Sequence, residues 1–314
     1  MIRLSRFSTL FIGLLAFLPN SYSAESKIAP INFELIDNRI FVDVFINEHG
    51  PFKFIFDTGG NNSMTFALAQ KLGLPIKNIG DGTGAGNGSQ PMGETSVLKM
   101  QIGEIIQSNQ DFLVMDYSKI QHAFNFQALD GIFGYEILQK YLTLINYENA
   151  QISFFAQESD FKKSDYETLK FDLLYEKPFI KSSIDGLRAN TLIDTGDRSA
   201  LTVTKRFQKN KSIAKNFKGK PIVTSGYGIG GPIPAKISTL KSLSVGKSAS
   251  FIEVVSRAPT SDGGFNAIKG LDASLGNEIL RQFNMAFDYK NKTIYFKKNK
   301  NFGEQTRFTP VPNP

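Results

Sequence analysis

The sequence predicts a mostly β protein folded from two similar units, an internal duplication, and three observations carry that prediction. First, FIFDTGGNNS and TLIDTGDRSA each run an apolar, strand-like segment into an acid and a chain-reversing glycine. One such corner means little, because Asp and Gly are ordinary turn residues; two, each behind its own apolar run, need a shared cause. Second, other landmarks repeat in the same order at nearly constant spacing. Asp194 lies 137 residues after Asp57, and Gly276 lies 142 residues after Gly134. Between them GYGIGG at Gly226–Gly231 lies over GTGAGNG at Gly82–Gly88, Leu240-Lys241 over Leu98-Lys99, and Gly246 over Gly103. Third, short runs rich in β-branched and aromatic residues, bounded by turn residues, dominate over helical patterns.

Taken in order, residues 1–23 read as a signal peptide. Arg3 and Arg6 give a positive start, Phe7–Leu18 a short apolar core, and Ser21 and Ser23 a small-residue cut site after Ser23. That core is well short of the roughly 20 residues that span a bilayer. The chain is therefore expected to be exported, periplasmic or secreted, with no stable membrane span after cleavage. An N-terminal lobe over 24–157 and a C-terminal lobe over 170–300 follow, units of about 130 residues each, an ordinary domain size. The polar stretch at 158–169 links them, and 301–314, with three prolines, reads as a loose tail.

Within each lobe, Phe41–Ile46 and Ile152–Phe155 read as strands, and Ile40–Val44 lies over Pro178–Ser182. Asn146–Asn149 and Asp288–Lys292 read as hairpin turns closing each lobe. Short helices are expected within Ser63–Leu72, Tyr135–Tyr141 and Asn277–Phe283. His49 and His122 are expected in loops.

Composition narrows the chemistry. The chain has no cysteine and only two histidines, so disulfides and thiolate catalysis are excluded, and a zinc site or a Ser-His-Asp triad has almost nothing to draw on. The formal charge of +7 is scattered, without the basic stripe and interleaved aromatics of a nucleic-acid binder. The glycine-rich GDGTGAGNGSQPMG lacks the Gly-Lys-Ser/Thr of a phosphate loop. Whatever chemistry exists rests largely on carboxylates.

The paired Asp-Thr-Gly triplets, each followed by an apolar-apolar-Gly element (Ile132-Phe133-Gly134 and Ser274-Leu275-Gly276) and a short helix, resemble the aspartic peptidases of the pepsin and retropepsin group. The resemblance runs from about Ile28 to Lys298 and implies a bilobal aspartic-protease fold, double-psi barrel-like, with one aspartate from each lobe in a shared site. Asp57 and Asp194 would be catalytic. Two carboxylates about 3 Å apart cannot both ionise, so they share a proton and act as base and acid on a bound water and the scissile carbonyl. Thr58 and Thr195 would hydrogen-bond across the axis. Gly59 and Gly196 would let the loops approach, and Gly134 and Gly276 would be structural glycines beside them.

The resemblance also implies a flap over Gly82–Met92, with Gly84 and Gly86, and a counterpart over Gly226–Pro234, with Gly228 and Gly230; Tyr227 there is either a substrate contact or an exposed loop residue. No cofactor and no metal is implied, and the partner is a polypeptide substrate in the inter-lobe cleft of a monomer. Two residues depart from the family pattern, Gly60 and Asp197, where Ser or Ala is common. Asp197 raises the proton affinity of the dyad if it points inward and does little if it pairs with Arg198 or solvent. A fold-retaining peptide- or glycan-binding protein that no longer cuts is the alternative, and a carboxylate-pair glycosidase a more distant one.

Overall fold

The structure, a computed structural model, describes residues 28–313. The expected signal peptide and its cut after Ser23 lie outside the described residues. Strands dominate. In chain order the first unit contains β1 (Ile31–Asn32), β2 (Glu34–Ile36), β3 (Arg39–Ile46), β4 (His49–Phe56), β5 (Ser63–Thr65) and β6 (Lys77–Thr83). It continues with β7 (Ser89–Ile102), β8 (Ile105–Met115), β9 (Gly131–Phe133), β10 (Leu142–Asn146) and β11 (Gln151–Phe155). Its helices are α1 (Phe66–Lys71), α2 (Ser118–Phe124) and α3 (Tyr135–Leu138).

The second unit repeats this plan. It holds β12 (Glu167–Lys170), β13 (Asp172–Leu174), β14 (Lys177–Ile184), β15 (Leu187–Ile193), β16 (Leu201–Val203) and β17 (Ile222–Gly228). Then come β18 (Gly231–Val245), β19 (Ala249–Pro259), β20 (Ala273–Leu275), β21 (Phe283–Asp288) and β22 (Thr293–Lys298), with helices α4 (Lys211–Phe217) and α5 (Asn277–Leu280).

The duplication is visible in the strand order. One eight-stranded sheet runs β2-β3-β4-β9-β5-β8-β7-β6 and the other β13-β14-β15-β20-β16-β19-β18-β17, the same permutation. The parallel contacts match too: β4 with β9 and β5 with β8 in one, β15 with β20 and β16 with β19 in the other. A third sheet, β1-β11-β10-β21-β22-β12, takes three strands from each unit and reads the same from either end. Its centre is the antiparallel pair β10–β21, where Leu144 faces Ala286.

Alternation decides which face is buried. Along β3, Ile40, Val42, Val44 and Ile46 turn into the core while Asp43 points out to an ion pair with Lys53 at 2.8 Å. The main apolar cluster is continuous through both units by way of the shared sheet, joining Ile145, Phe154, Met285 and Phe287.

Several local expectations need correction. The helix expected within Ser63–Leu72 begins only at Phe66, because Ser63–Thr65 is taken by β5. Thr65 then caps the helix, its Oγ1 accepting from the Leu68 N–H at 3.0 Å. The helix at Asn277 stops at Leu280, since Phe283 already belongs to β21. His49 opens β4 and His122 lies in α2, so neither is a loop residue. α2 and α4 were not foreseen. No capping side chain sits at the N-cap of α2; Asp116, one residue earlier, accepts from the Ser118 N–H at 2.8 Å instead.

The tail is not loose. Thr306 Oγ1 accepts from the Val255 N–H at 2.8 Å, the Thr309 carbonyl accepts from Arg198 at 2.7 Å, and the Asn313 N–H donates to the Ala123 carbonyl at 3.1 Å. Val311 is buried with Phe41, Phe124 and Phe126 of the first unit. Proline-fixed, extended backbone lowers the entropy cost of such docking. Among the described residues no helix is long and apolar enough to cross a membrane.

Candidate active site

The sheets deliver the two Asp-Thr-Gly corners to one place. β4 ends at Phe56, and the Asp57 N–H continues its parallel pairing by donating to the Phe133 carbonyl at 2.9 Å. In the second unit the Asp194 N–H donates to the Leu275 carbonyl at 3.0 Å. Each acid then folds back on its own turn. Asp57 Oδ1 accepts from the Gly59 N–H at 2.7 Å, and Asp194 Oδ1 from the Gly196 N–H at 3.0 Å.

Between the loops the threonines exchange a reciprocal set of bonds. The Thr58 N–H donates to Thr195 Oγ1 at 3.0 Å while Thr58 Oγ1 donates to the Ile193 carbonyl at 2.8 Å. The Thr195 N–H donates to Thr58 Oγ1 at 3.1 Å and Thr195 Oγ1 to the Phe56 carbonyl at 2.9 Å. Both threonines are fully buried, so every one of these groups depends on the other unit for its partner.

The glycines permit the approach. A Cβ on Gly59 would stand 3.0 Å from Asp194 Cγ, and one on Gly196 would collide with the Asp57 carboxylate. Gly134 and Gly276 pass so close beneath the loops that a Cβ there would strike the carbonyls of Asp57 and Ser199. All eight of these residues therefore come together.

Neither aspartate titrates normally, and each bears on the other. Burial raises Asp57, opposed by the Lys177 ammonium and the N–H groups of Gly59 and Gly196. Asp194 stands well above the usual carboxylate range, first through burial, then through the charges of Asp57 and Asp197. Among the described residues no group of His, Cys, Asp and Glu is arranged to hold a metal ion.

Beyond the triplets the two loops differ. Asp197 points inward and pairs with Arg257, Nη2 to Oδ1 at 2.9 Å, not with Arg198 or solvent. Ser199 donates to Asp197 from its N–H at 2.9 Å and its hydroxyl at 2.8 Å, Thr202 donates at 3.0 Å, and Arg257 Nε donates to Thr202 Oγ1 at 2.7 Å. Burial alone would raise Asp197, but Arg257 and these donors hold it below its ordinary value, so it is ionised. Sheet register equates Thr202 and Arg257 with Ser63 and Leu113 of the first unit, where Gly60 replaces Asp197. Ser63 there meets the Tyr117 hydroxyl at 2.6 Å and the Asn61 carbonyl at 3.4 Å.

Basic residues flank the loops. Arg39 donates to the Gly196 carbonyl at 3.2 Å, pairs with Asp37, and lies over the Phe124 ring at 4.3 Å; burial lowers it to about 10. Arg198 pairs with Asp37 at 2.6 Å and covers the same ring at 5.0 Å. Lys177 stands at the start of β14, as Arg39 stands at the start of β3.

A cavity of about 710 Å³ opens above the acids, lined by Asp57, Asp194, Gly59 and Gly196 at its floor. Two hairpins roof it, β6–β7 and β17–β18, and their tips join: Gly86 N–H to the Ile229 carbonyl at 2.9 Å and Gly88 N–H to the Gly230 carbonyl at 3.1 Å. Gly84, Gly86, Gly228 and Gly230 all lie at this junction, where a Cβ on Gly86 would meet Gly231 N at 2.5 Å. The tips cross over. Ala85 packs on Phe179 and Phe265 of the second unit, while Tyr227 and Ile229 pack on the first-unit cluster of Phe41, Ile55 and Tyr117. Tyr227 is thus a half-buried wall of the cavity and not an exposed loop residue.

Residues 42–137 match the family model described as aspartyl protease. That span takes in Asp57, Gly134 and the first hairpin of the roof. A solved structure, a retropepsin-like aspartic protease from Rickettsia conorii, is similar at 17% identity over 42% of this chain and 90% of its own, with a TM-score of 0.33. No curated protein matches the chain.

Arg257, Tyr117, Lys177 and Arg39 were not singled out in the sequence. For the last two a signal existed: Arg39 and Lys177 precede their aspartates by nearly the same interval. Arg257 gave none, because only the parallel pairing of β16 with β19 brings it to Thr202.

Proposed function

We propose that this chain is an aspartic endopeptidase, hydrolysing peptide bonds with a water held between Asp57 and Asp194. The observation that carries it is the meeting of two carboxyls, one from each Asp-Thr-Gly loop, at the floor of a roofed cavity, each packed against the other loop's glycine. The match of residues 42–137 to the aspartyl proteases supports the same reading, and the duplicated strand order extends it to the second loop.

One aspartate, ionised, takes a proton from the water as it attacks the scissile carbonyl; the other, protonated, gives its proton to the carbonyl oxygen. The tetrahedral intermediate then collapses: the first aspartate passes the water's proton to the amide nitrogen, the second takes back the hydroxyl proton, and the C–N bond breaks to release the amine. No covalent acyl-enzyme forms. The substrate strand lies in the cleft under the two hairpins, which must part to admit it. The N-terminal 23 residues direct export, so the lobes at 24–157 and 170–300 work as a monomer in the periplasm or outside the cell.

The test incubates the chain and its Asp57→Asn and Asp194→Asn variants with a diverse peptide mixture from about pH 3 to pH 7, the range over which a shared carboxylate proton is lost. Mass spectrometry identifies the cut bonds. Cuts made by the wild type should fall by at least about 100-fold in each variant, the loss expected when an acid or base is removed. Equal cutting by either variant sinks the mechanism. Tight peptide or glycan binding without turnover would mark a non-cutting receptor.

A further inference from the structure

We propose that the buried Asp197–Arg257 pair is a positioning device that keeps the shared proton on Asp194 and leaves Asp57 as the base. The proposal rests on the endopeptidase reading for its consequence in catalysis, though not for its electrostatics.

The geometry carries it. Asp197 lies three residues beyond Asp194, and its own N–H donates to Asp194 Oδ1 at 3.0 Å, so the two acids share one tight turn. The Asp197 side chain is only 1% exposed and that of Arg257 5%. A charge so placed is poorly screened by water. Arg257 reaches Asp197 from β19, and its guanidinium lies 5.4 Å from the Phe265 ring centroid. The member of the pair on the Asp194 loop is thus the negative one. Among the described residues no equivalent pair sits on the Asp57 loop, which carries Gly60, Ser63 and Leu113 at the matching places.

The other charges facing the dyad do not restore the balance. Lys177, from β14, favours the ionised form of both acids. Arg39, from β3, and Arg198 share the single carboxylate of Asp37, so that trio keeps one positive charge, and neither arginine is a leading influence on Asp57 or Asp194. Tyr117 and Tyr289 are buried phenols that stay neutral. The two N–H groups on Asp194 Oδ1 favour its ionised form, yet they leave Oδ2 free to hold the proton. Asp194 is raised by the charges of Asp57 and Asp197 in addition to its burial.

The experiment titrates the full chain carrying ¹³C-labelled aspartate, following the carboxyl resonances of Asp57 and Asp194, assigned with the Asn variants at each. In the wild type the last proton should leave from Asp194. In Asp197→Asn that step should fall by about one pH unit, the effect of losing a close like charge, and the alkaline limb of the peptide-cleavage profile should move with it.

Asp197→Asn leaves Arg257 unpaired and can fail to fold. The double variant Asp197→Asn with Arg257→Met removes both charges, a change buried pairs often tolerate, and should lower the same step. Arg257→Lys, which keeps the charge, should titrate close to the wild type. A last proton on Asp57, or a step unmoved in the folded double variant, overturns the proposal. Because the resonances need no turnover, an asymmetric titration in a chain that cuts nothing would sustain the assignment while the endopeptidase reading fails.

Discussion

In the first unit Gly59 is followed by Gly60 and a loop that bonds to Tyr117 and Glu136 but carries no acid of its own beside the dyad. In the second, Gly196 is followed by Asp197, and two extra residues make room for Ser199, Thr202 and Arg257 to gather around it. The threonine bonds and the glycine approach are reproduced on both sides. The difference teaches that the symmetric part of the site is what brings the units together, and the asymmetric part bears on how the acids titrate.

The comparison breaks most sharply at Arg257. Arg257→Met strands a buried carboxylate and should cost about 3–5 kcal/mol in urea unfolding at neutral pH, whereas adding Asp197→Asn should recover most of that loss. Leu113→Met, at the matching place in the first unit, conserves volume and should cost under about 1.5 kcal/mol. Next come the threonines. Thr58→Val and Thr195→Val each leave buried N–H and carbonyl groups without partners and should each cost roughly 2–3 kcal/mol of stability. Unequal midpoints for these two variants would show that the frame is less symmetric than its bonds.

Two acids of the second loop give pH-dependent effects of opposite sign. Asp194 is raised, so its contribution to stability is full below its unfolded pKa and is lost as pH rises through the folded one. Asp194→Asn should therefore raise the melting temperature near neutral pH, and the gain should vanish in acid. Asp197 is lowered, so it stabilises above its unfolded pKa and that support is lost as pH falls through the folded value. Asp197→Asn should destabilise at neutral pH, with the deficit closing in acid. A small effect is expected at the C-terminal tail: Val311→Ala removes two methyls from the first-unit cluster and should cost about 1.5 kcal/mol.

Much of this was legible in the sequence because it rests on local chemistry repeated twice. Asp57 and Asp194, the flanking threonines and glycines, and the hairpin tips at Gly86 and Gly230 announce themselves as turns behind apolar runs, and the repeat fixes which turn matches which. What was not legible depends on long-range register. Arg257 meets Asp197 only through β16–β19 pairing. The tail looked loose because its prolines bar it from a sheet, yet isolated side-chain and backbone bonds hold it. The boundary between strand and helix at Thr65 and at Phe283 was blurred, since β-branched and aromatic residues suit the edge of either element.

The palindromic sheet β1-β11-β10-β21-β22-β12 places both halves of the site on one covalent thread. Dilution cannot part them, since their encounter is intramolecular at high effective concentration. The thread also grants a freedom that a pair of identical chains lacks. Two copies related by a true twofold axis must carry every substitution on both sides of it. An inward acid beside each aspartate would crowd four carboxylates into one floor. Tandem fusion lets Asp197 occur once, opposite Gly60, so the acid and base of a single dyad can be drawn apart by sequence alone.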